Sequence, residues 1–231
     1  MGDAPGAPPI PPTGPPRDGP PWERERSLAS LLETLKGVLL EPTRTFREAS
    51  QDANIGYALL YWLIFGFLGL LANTLWQTLL GGAWLTMMEP YIDQVPELED
   101  LMLMEPAGGL FLRIVLMPVW LGIGLVVWFI WTGIVHLLLM LFGGANRGYE
   151  ATFRTMSYGN GSVAVFYLFP ICGVYVALVW SLVVQIIGLR EIHETSGGKA
   201  AAAVLVPIGF CVACLCLTLF LVVAMIASAT G

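Results

Sequence analysis

Between residues 55 and 228 the apolar side chains fall into four or five near-continuous runs of bilayer-spanning length. Residues 55–79 read IGYALLYWLIFGFLGLLANTLWQTL, residues 118–142 read PVWLGIGLVVWFIWTGIVHLLLMLF, and residues 200–228 are apolar almost throughout. About 20 apolar residues span a hydrocarbon core. The pattern therefore predicts an all-α, polytopic transmembrane helical bundle.

Two regions need a decision about where the helices stop. The run 108–142 would be about 52 Å long as one helix, more than a core of about 30 Å. Pro118 is a natural break, which would leave 108–117 as an interfacial segment with Arg113 on its polar side. Residues 151–188 are too long for one crossing and tight for two. Pro170 and Gly173 can form a sharp turn near the middle, giving a hairpin of 151–169 and 173–189; a single span beginning near residue 162 is the other reading. Charge favours the hairpin. Arg147 and Arg154 precede the region and Arg190 and Lys199 follow it, and a hairpin puts both pairs on one side. The expected bundle thus has five spans, about 55–79, 118–142, 151–169, 173–189 and 200–228. With Lys and Arg inside, its N-terminus is cytoplasmic and its C-terminus outside. The first outer loop, which carries Glu89, Asp93, Glu97, Glu99, Asp100 and Glu105, fits that orientation.

Ahead of the spans the pattern changes twice. Residues 1–26 are rich in Pro and Gly and are read as a disordered cytoplasmic tail, a solvated tether with PxxP spacings. Leu28, Leu31, Leu32, Leu35, Val38 and Leu39 then repeat at helical spacing, capped by Ser30 with Glu33 or by Ser27 one turn earlier. This stretch is too short and too charged to cross. Residues 27–50 are therefore read as interfacial amphipathic helices, with Pro42 opening the second and Phe46, Arg44 and Arg47 on it. The five-span domain occupies 51–231.

Composition narrows the function more than it identifies one. The 231 residues are 56% hydrophobic and 12% charged, against about 25% charged in a soluble domain. The formal charge of −6 lies on loops, and no basic patch for nucleic acid is present. The four cysteines, Cys172, Cys211, Cys214 and Cys216, all sit in apolar runs. One straight helix cannot present all of the last three, so they read as packing groups and not as metal ligands. The start of the chain lacks the pattern of a signal peptide. No nucleophile–base pair, phosphate loop or metal cluster stands out, so an enzyme and a cofactor are not expected.

The polar residues inside the spans are the candidates for any chemistry. These are Asn73 and Gln77 in the first span, His136 in the second, Arg154 and Asn160 in the third, and Gln185 in the fourth, beside Ser181. Polar groups at membrane depth must find partners, so they face the bundle interior, as interhelical hydrogen bonds or as a solute path. Arg154 either snorkels to headgroups or is fixed by Tyr158, Asn160 or Gln185. The triplet at Asn160 is too deep to be glycosylated.

Several pieces together resemble a known pattern. Pro42 and Phe46 sit on an entry helix. Gly143 and Gly144 follow the second span, with Tyr149, Thr152, Arg154 and Tyr158 after them. Pro170, Gly173, Trp180, Gly188, Leu189, His193, Ser196, Lys199, Ala200 and Pro207 complete the order. The chain resembles the Yip family, the Ypt/Rab-interacting membrane proteins with a five-span domain, and particularly its prokaryotic branch, from about residue 39 onward. The resemblance implies a helical bundle with a cytoplasmic N-terminus. In eukaryotic relatives it implies roles in vesicle traffic and small-GTPase binding, and for prokaryotic members no agreed activity. The expectation is a non-enzymatic, multi-pass protein of the bacterial cytoplasmic membrane. Its partners would be the lipid bilayer and other membrane proteins or further copies of itself. The alternative is a small-solute or ion transporter with His136, Asn73 and Gln185 on the path.

Overall fold

In the computed structural model, which describes residues 19–49, 54–92 and 109–230, those residues are helical with no strand among them. The helices are α1 Pro21–Arg24, α2 Leu28–Leu40, α3 Pro42–Arg47, α4 Ile55–Ile92, α5 Gly109–Leu141, α6 Tyr149–Val163 with a 3₁₀ extension Ala164–Leu168, α7 Cys172–Ile192, and α8 Gly197–Thr230. Four of them are long and apolar enough to cross a membrane: α4, α5, α7 and α8. Helix α6 is not among them: it has 15 residues and a polar sequence, and its 3₁₀ extension adds five more. The Pro-rich residues 1–18 and the acidic residues 93–108 lie outside the described residues.

Three expectations need correction. The helix does not break at Pro118: α5 runs unbroken from Gly109 to Leu141, with Pro118 inside it and Arg113 in its second turn. Proline removes one backbone bond, but in hydrocarbon every other amide must stay paired within the helix, so continuing costs less than breaking. The tail does not extend to residue 26. Residues 19–26 are folded, Trp22 is 6% exposed, and α1 stands where disorder was expected. Proline at the first helical position and an apolar indole to bury supply what the composition hid. Finally, the reversal between α6 and α7 is not made by Gly173. Ile171 takes the left-handed conformation, with φ 63° and ψ −65°. The Cys172 N–H donates to the Pro170 carbonyl at 2.6 Å, closing a γ-turn. Gly173 serves close helix approach, the other use a glycine there has. A Cβ there would lie 1.9 Å from the Phe166 carbonyl oxygen, so only glycine lets the two backbones approach.

Local chemistry explains the other boundaries. Ser27 caps α2 in a reciprocal box with Ser30, the earlier of the two capping frames. Leu31 and Val38 on α2 turn into the protein, while Leu28 and Leu32 stay 72% and 52% exposed. The leucine stripe is thus divided between the bundle and the outside. Helix α5 ends in a Schellman motif: Gly143 has φ 63°, its N–H donates to Met140, and the Gly144 N–H donates to Leu139. Lys199 from the start of α8 donates to the Gly143 carbonyl at 2.8 Å. Phe46 of α3 packs at Gly188 of α7, where a Cβ would sit 3.0 Å from its ring and 2.5 Å from Thr155. Pro207 is buried within α8.

The bundle has two ends. At the basal end gather α1–α3, the connection 142–148 and the connection 193–196, tied by Asn146 to the His193 carbonyl and by Arg147 to Glu194. The 169–171 turn marks the distal end. Toward that end α5 and α8 present apolar side chains outward, and residues 210–225 of α8 are exposed all round.

Candidate functional site

Helix α6 reads YEATFRTMSYGNGSV, a polar sequence, yet from Thr152 to Val163 every residue but Asn160 is buried. A hydroxyl, amide or guanidinium buried without a partner costs free energy on the order of 1–3 kcal/mol or more. Thr155 donates back to the Ala151 carbonyl of its own helix, and the other polar side chains are met from neighbouring elements. From α4, the Tyr61 hydroxyl pairs with Ser162 at 2.8 Å and the Trp62 indole N–H donates to Asn160 at 2.8 Å. From α5, the Trp128 indole N–H donates to Ser157 at 3.0 Å, and Thr132 pairs with Tyr149 at 2.8 Å. Trp62 and Trp128 stack on each other at 5.9 Å and close the layer between α4 and α5. No buried side-chain nitrogen or oxygen among the described residues lacks a partner.

The charged part of this centre is Arg154. Its guanidinium grips both carboxylate oxygens of Glu23 at 2.9 Å, and the Tyr158 hydroxyl donates to the same carboxylate at 3.0 Å. Both charged side chains are almost wholly buried, at 5% and 2% exposed. Burial pushes the Glu23 carboxyl above the usual carboxylate range, while Arg154 and Tyr158 pull it back. A two-pronged guanidinium–carboxylate pair fixes direction as well as distance. Arg154 therefore does not reach out to headgroups. Of the partners expected for it, Tyr158 shares its carboxylate, and the acid itself comes from α1, 131 residues away.

Nearer the basal end a neutral chain of hydrogen bonds crosses three helices. The Arg147 backbone N–H donates to His193 Nδ1 at 3.2 Å, which makes that nitrogen the acceptor. In the neutral ring the proton then sits on Nε2 and is donated to Thr152 Oγ1 at 2.8 Å. The Thr152 hydroxyl in turn donates to His136 Nδ1 at 2.8 Å. The tautomers follow from satisfying this network. Burial, with His136 and Arg147 nearby, lowers His193 from 6.5 to about 4. The Thr152 hydroxyl has spent both its donor and an acceptor on imidazoles, so this arrangement fixes helices and does not expose a nucleophile.

Of the other expected positions, His136 bonds to Thr152 and Gln185 packs against α6, while Asn73 and Gln77 lie apart from this centre. His136 lies five residues from the end of α5, and Asn73 lies toward the distal part of α4. Measured from the stacked Trp62 and Trp128, the two are about 28 Å apart along antiparallel helices. Asn73 is half-buried and Gln77 exposed, while Gln185 is buried against Gly159. All four cysteines are exposed and free, and no group of three metal-ligating side chains occurs among the described residues. Sequence reasoning singled out Arg154, Asn160 and His136. It missed Glu23, which sits at the end of a Pro-rich stretch, and Tyr61, Trp62 and Trp128, whose aromatic bodies read as ordinary membrane residues.

The Yip1 domain matches residues 36–221, which takes in α3 through most of α8. No curated protein and no solved structure matches the chain. The matched segment covers the entry helix with Phe46, the Gly143 cap, the 170–173 turn and the Gly188 notch that the fold brings into use. On that span the chain belongs to the Yip1 domain family.

Proposed function

We propose that this Yip1-domain chain is a non-enzymatic, multi-pass protein of the bacterial cytoplasmic membrane. It acts by associating with lipids or with other membrane proteins, and its bundle crosses five times, N-terminus inside and C-terminus outside. The observation that carries the reading is the division of its chemistry. The polar groups of α6 are spent on neighbouring helices, and what the bundle turns outward is apolar. A surface of that kind contacts lipid or another helix and offers little to a polar reactant.

The length of α6 with its 3₁₀ extension, about 30 Å, supports a fifth crossing. Its polarity is compatible with that depth because protein, not lipid, surrounds it. The orientation is supported by charge: every described Lys and Arg except Arg113 belongs to the basal end. Reporter fusions at Gly144, Gly197 and Gly231 test this, and should read inside, inside and outside; opposite sides for the first two would remove the α6–α7 crossing. Purification in mild detergent should bring down a stable partner or a homo-oligomer. Solute-dependent flux in proteoliposomes above an empty-vesicle control would overturn the association reading.

A further inference from the structure

Residues 19–26 stand apart from the rest of the basal end in how they are held. A four-residue helix has no stability of its own, so α1 persists only through its anchors. Trp22 packs into the hydrophobic core, the Gly19 N–H donates to the Glu48 carbonyl at 3.2 Å, the Glu25 carbonyl accepts from the Ser30 hydroxyl, and Arg26 donates to the Tyr57 hydroxyl at 3.0 Å and lies over its ring; the remaining anchors carry the chemistry. The Trp22 backbone N–H donates to Thr34 Oγ1 at 2.9 Å, and its indole N–H donates to the Tyr57 carbonyl at 3.0 Å. The Glu23 carboxylate sits in the fork of Arg154 with the Tyr158 hydroxyl. Arg24, Glu25 and Arg26 are exposed, and Glu25 and Ser27 have extended backbones between α1 and α2. On its other side this segment is undercut by a cavity of about 250 Å³, bounded by Lys36, Glu41, Arg44 and Glu48 among others.

The groups that receive the segment come from α2, α4 and α6, helices of 13 residues or more, each longer than the strap they hold. Together they offer a hydroxyl for a main-chain amide, a carbonyl at the end of an indole slot, and a two-pronged clamp for a carboxylate. That is recognition chemistry for a peptide that presents, on a single helical turn, an aromatic residue followed by an acid. We propose that residues 19–26 are a displaceable strap occupying this groove in cis, and that its external ligand is an aromatic–acidic peptide segment of another protein. The strap wins at rest because its tether makes its local concentration high, on the order of millimolar. A partner prevails when it presents the same two side chains in a larger interface. The proposal deepens the association reading above by giving the partner's chemistry.

The test uses the full chain in detergent and a fluorescein-labelled peptide of the sequence GPPWERER, read by anisotropy. Trp22→Ala/Glu23→Ala empties the groove. The peptide should bind this variant at least tenfold more tightly than the wild-type chain. Replacing the peptide's first Glu by Gln should cost most of that gain, and adding Tyr158→Phe to the emptied variant should weaken binding several-fold. In the wild-type chain, excess peptide should speed tryptic cleavage at Arg24 and Arg26. An emptied variant that is helical and monodisperse yet binds no better than wild type overturns the proposal. If it fails to fold, the chain lacking residues 1–26 is measured in the same way. Failure of both to fold makes the strap a structural part of the bundle and also overturns it. A null peptide result leaves the association reading standing, because co-purification tests that separately.

Discussion

Gly173→Ala is the sharpest single perturbation of this bundle. The added methyl would lie 1.9 Å from the Phe166 carbonyl oxygen, and real Cβ atoms essentially never approach within 3.0 Å. Relief requires a shift of more than 1 Å between two backbones. Those backbones are held by the Phe169 N–H on Phe166 at 3.0 Å and the Gly173 N–H on Phe169 at 3.2 Å, so the shift must break one of these bonds or unwind the first turn of α7. Overpacking of this kind costs about 3 kcal/mol, more where backbone must move. In a chain of this size that is about 6–12 °C of melting temperature. Thermal unfolding in detergent, followed by circular dichroism, measures it. Gly209→Ala is the control, because nothing lies within 4 Å of its Cβ position. Cysteine accessibility at Ser196, in a background without the native cysteines, reports whether the hairpin persists. Equal melting temperatures for the two variants would refute the argument that backbone approach, and not merely a flexible turn, joins α6 to α7.

Ile171→Gly should stabilise the chain by about 1 kcal/mol, because a β-branched residue at φ 63° is strained and glycine is not; a lowered melting temperature would count against the γ-turn. Ser157→Ala should cost about 1–3 kcal/mol by leaving the buried Trp128 N–H without its acceptor, with a change in tryptophan fluorescence as a second readout. His193 makes stability fall with acid. Its folded pKa is about 4 against 6.5 ordinarily, so between these values the unfolded chain binds more protons, and stability present above pH 6.5 is lost as pH falls toward 4. The loss attributable to it is about 3 kcal/mol, and His193→Gln should flatten that part of the difference between melts at pH 7 and pH 4.5. Parallel pH profiles for the two chains would sink the assignment of a buried neutral imidazole.

What the sequence displays and what it conceals separate along a physical line. Features that depend on a few adjacent residues were legible: Ser27 as one of two capping frames, the Pro42 start of α3, and a reversal between 169 and 173. Even there the division of labour at the reversal was not, because nothing in the order Pro-Ile-Cys-Gly says which residue takes positive φ. The apolar runs announced α4, α5 and α8, since lipid selects composition directly, and α7 followed only once charge favoured the hairpin. Helix α6 was ambiguous because its environment is protein, and its partners are 16 to 135 residues away. Arg154 was visible as an anomaly, but Glu23, in a stretch whose composition suggested disorder, gave no sign of pairing with it. Pro118 misled for the opposite reason: its local effect is real, and the apolar surroundings of the helix outweigh it.

The burial of α6 also bears on why a membrane bundle would place its most polar helix at its centre. Interhelical hydrogen bonds between side chains in membranes are worth about 0.6 kcal/mol each, so five of them contribute only about 3 kcal/mol. Their stronger effect is on register. At 3.6 residues per turn, Thr152, Ser157, Asn160 and Ser162 point at roughly 0°, 140°, 80° and 280° round the helix. Their partners are His136 and Trp128 on α5 and Trp62 and Tyr61 on α4. Turning α6 by one residue moves every one of these groups about 100° from its partner, and the Glu23 clamp with them. An apolar helix of the same size would lose little on such a rotation, because one branched side chain replaces another. Here the misrotated state buries several unpaired polar groups at once, at about 1–3 kcal/mol apiece. The pairs therefore define a single orientation of α6, and through it the placement of the strap, of the Gly188 notch and of the 170–173 turn, more than they add to the stability of the bundle.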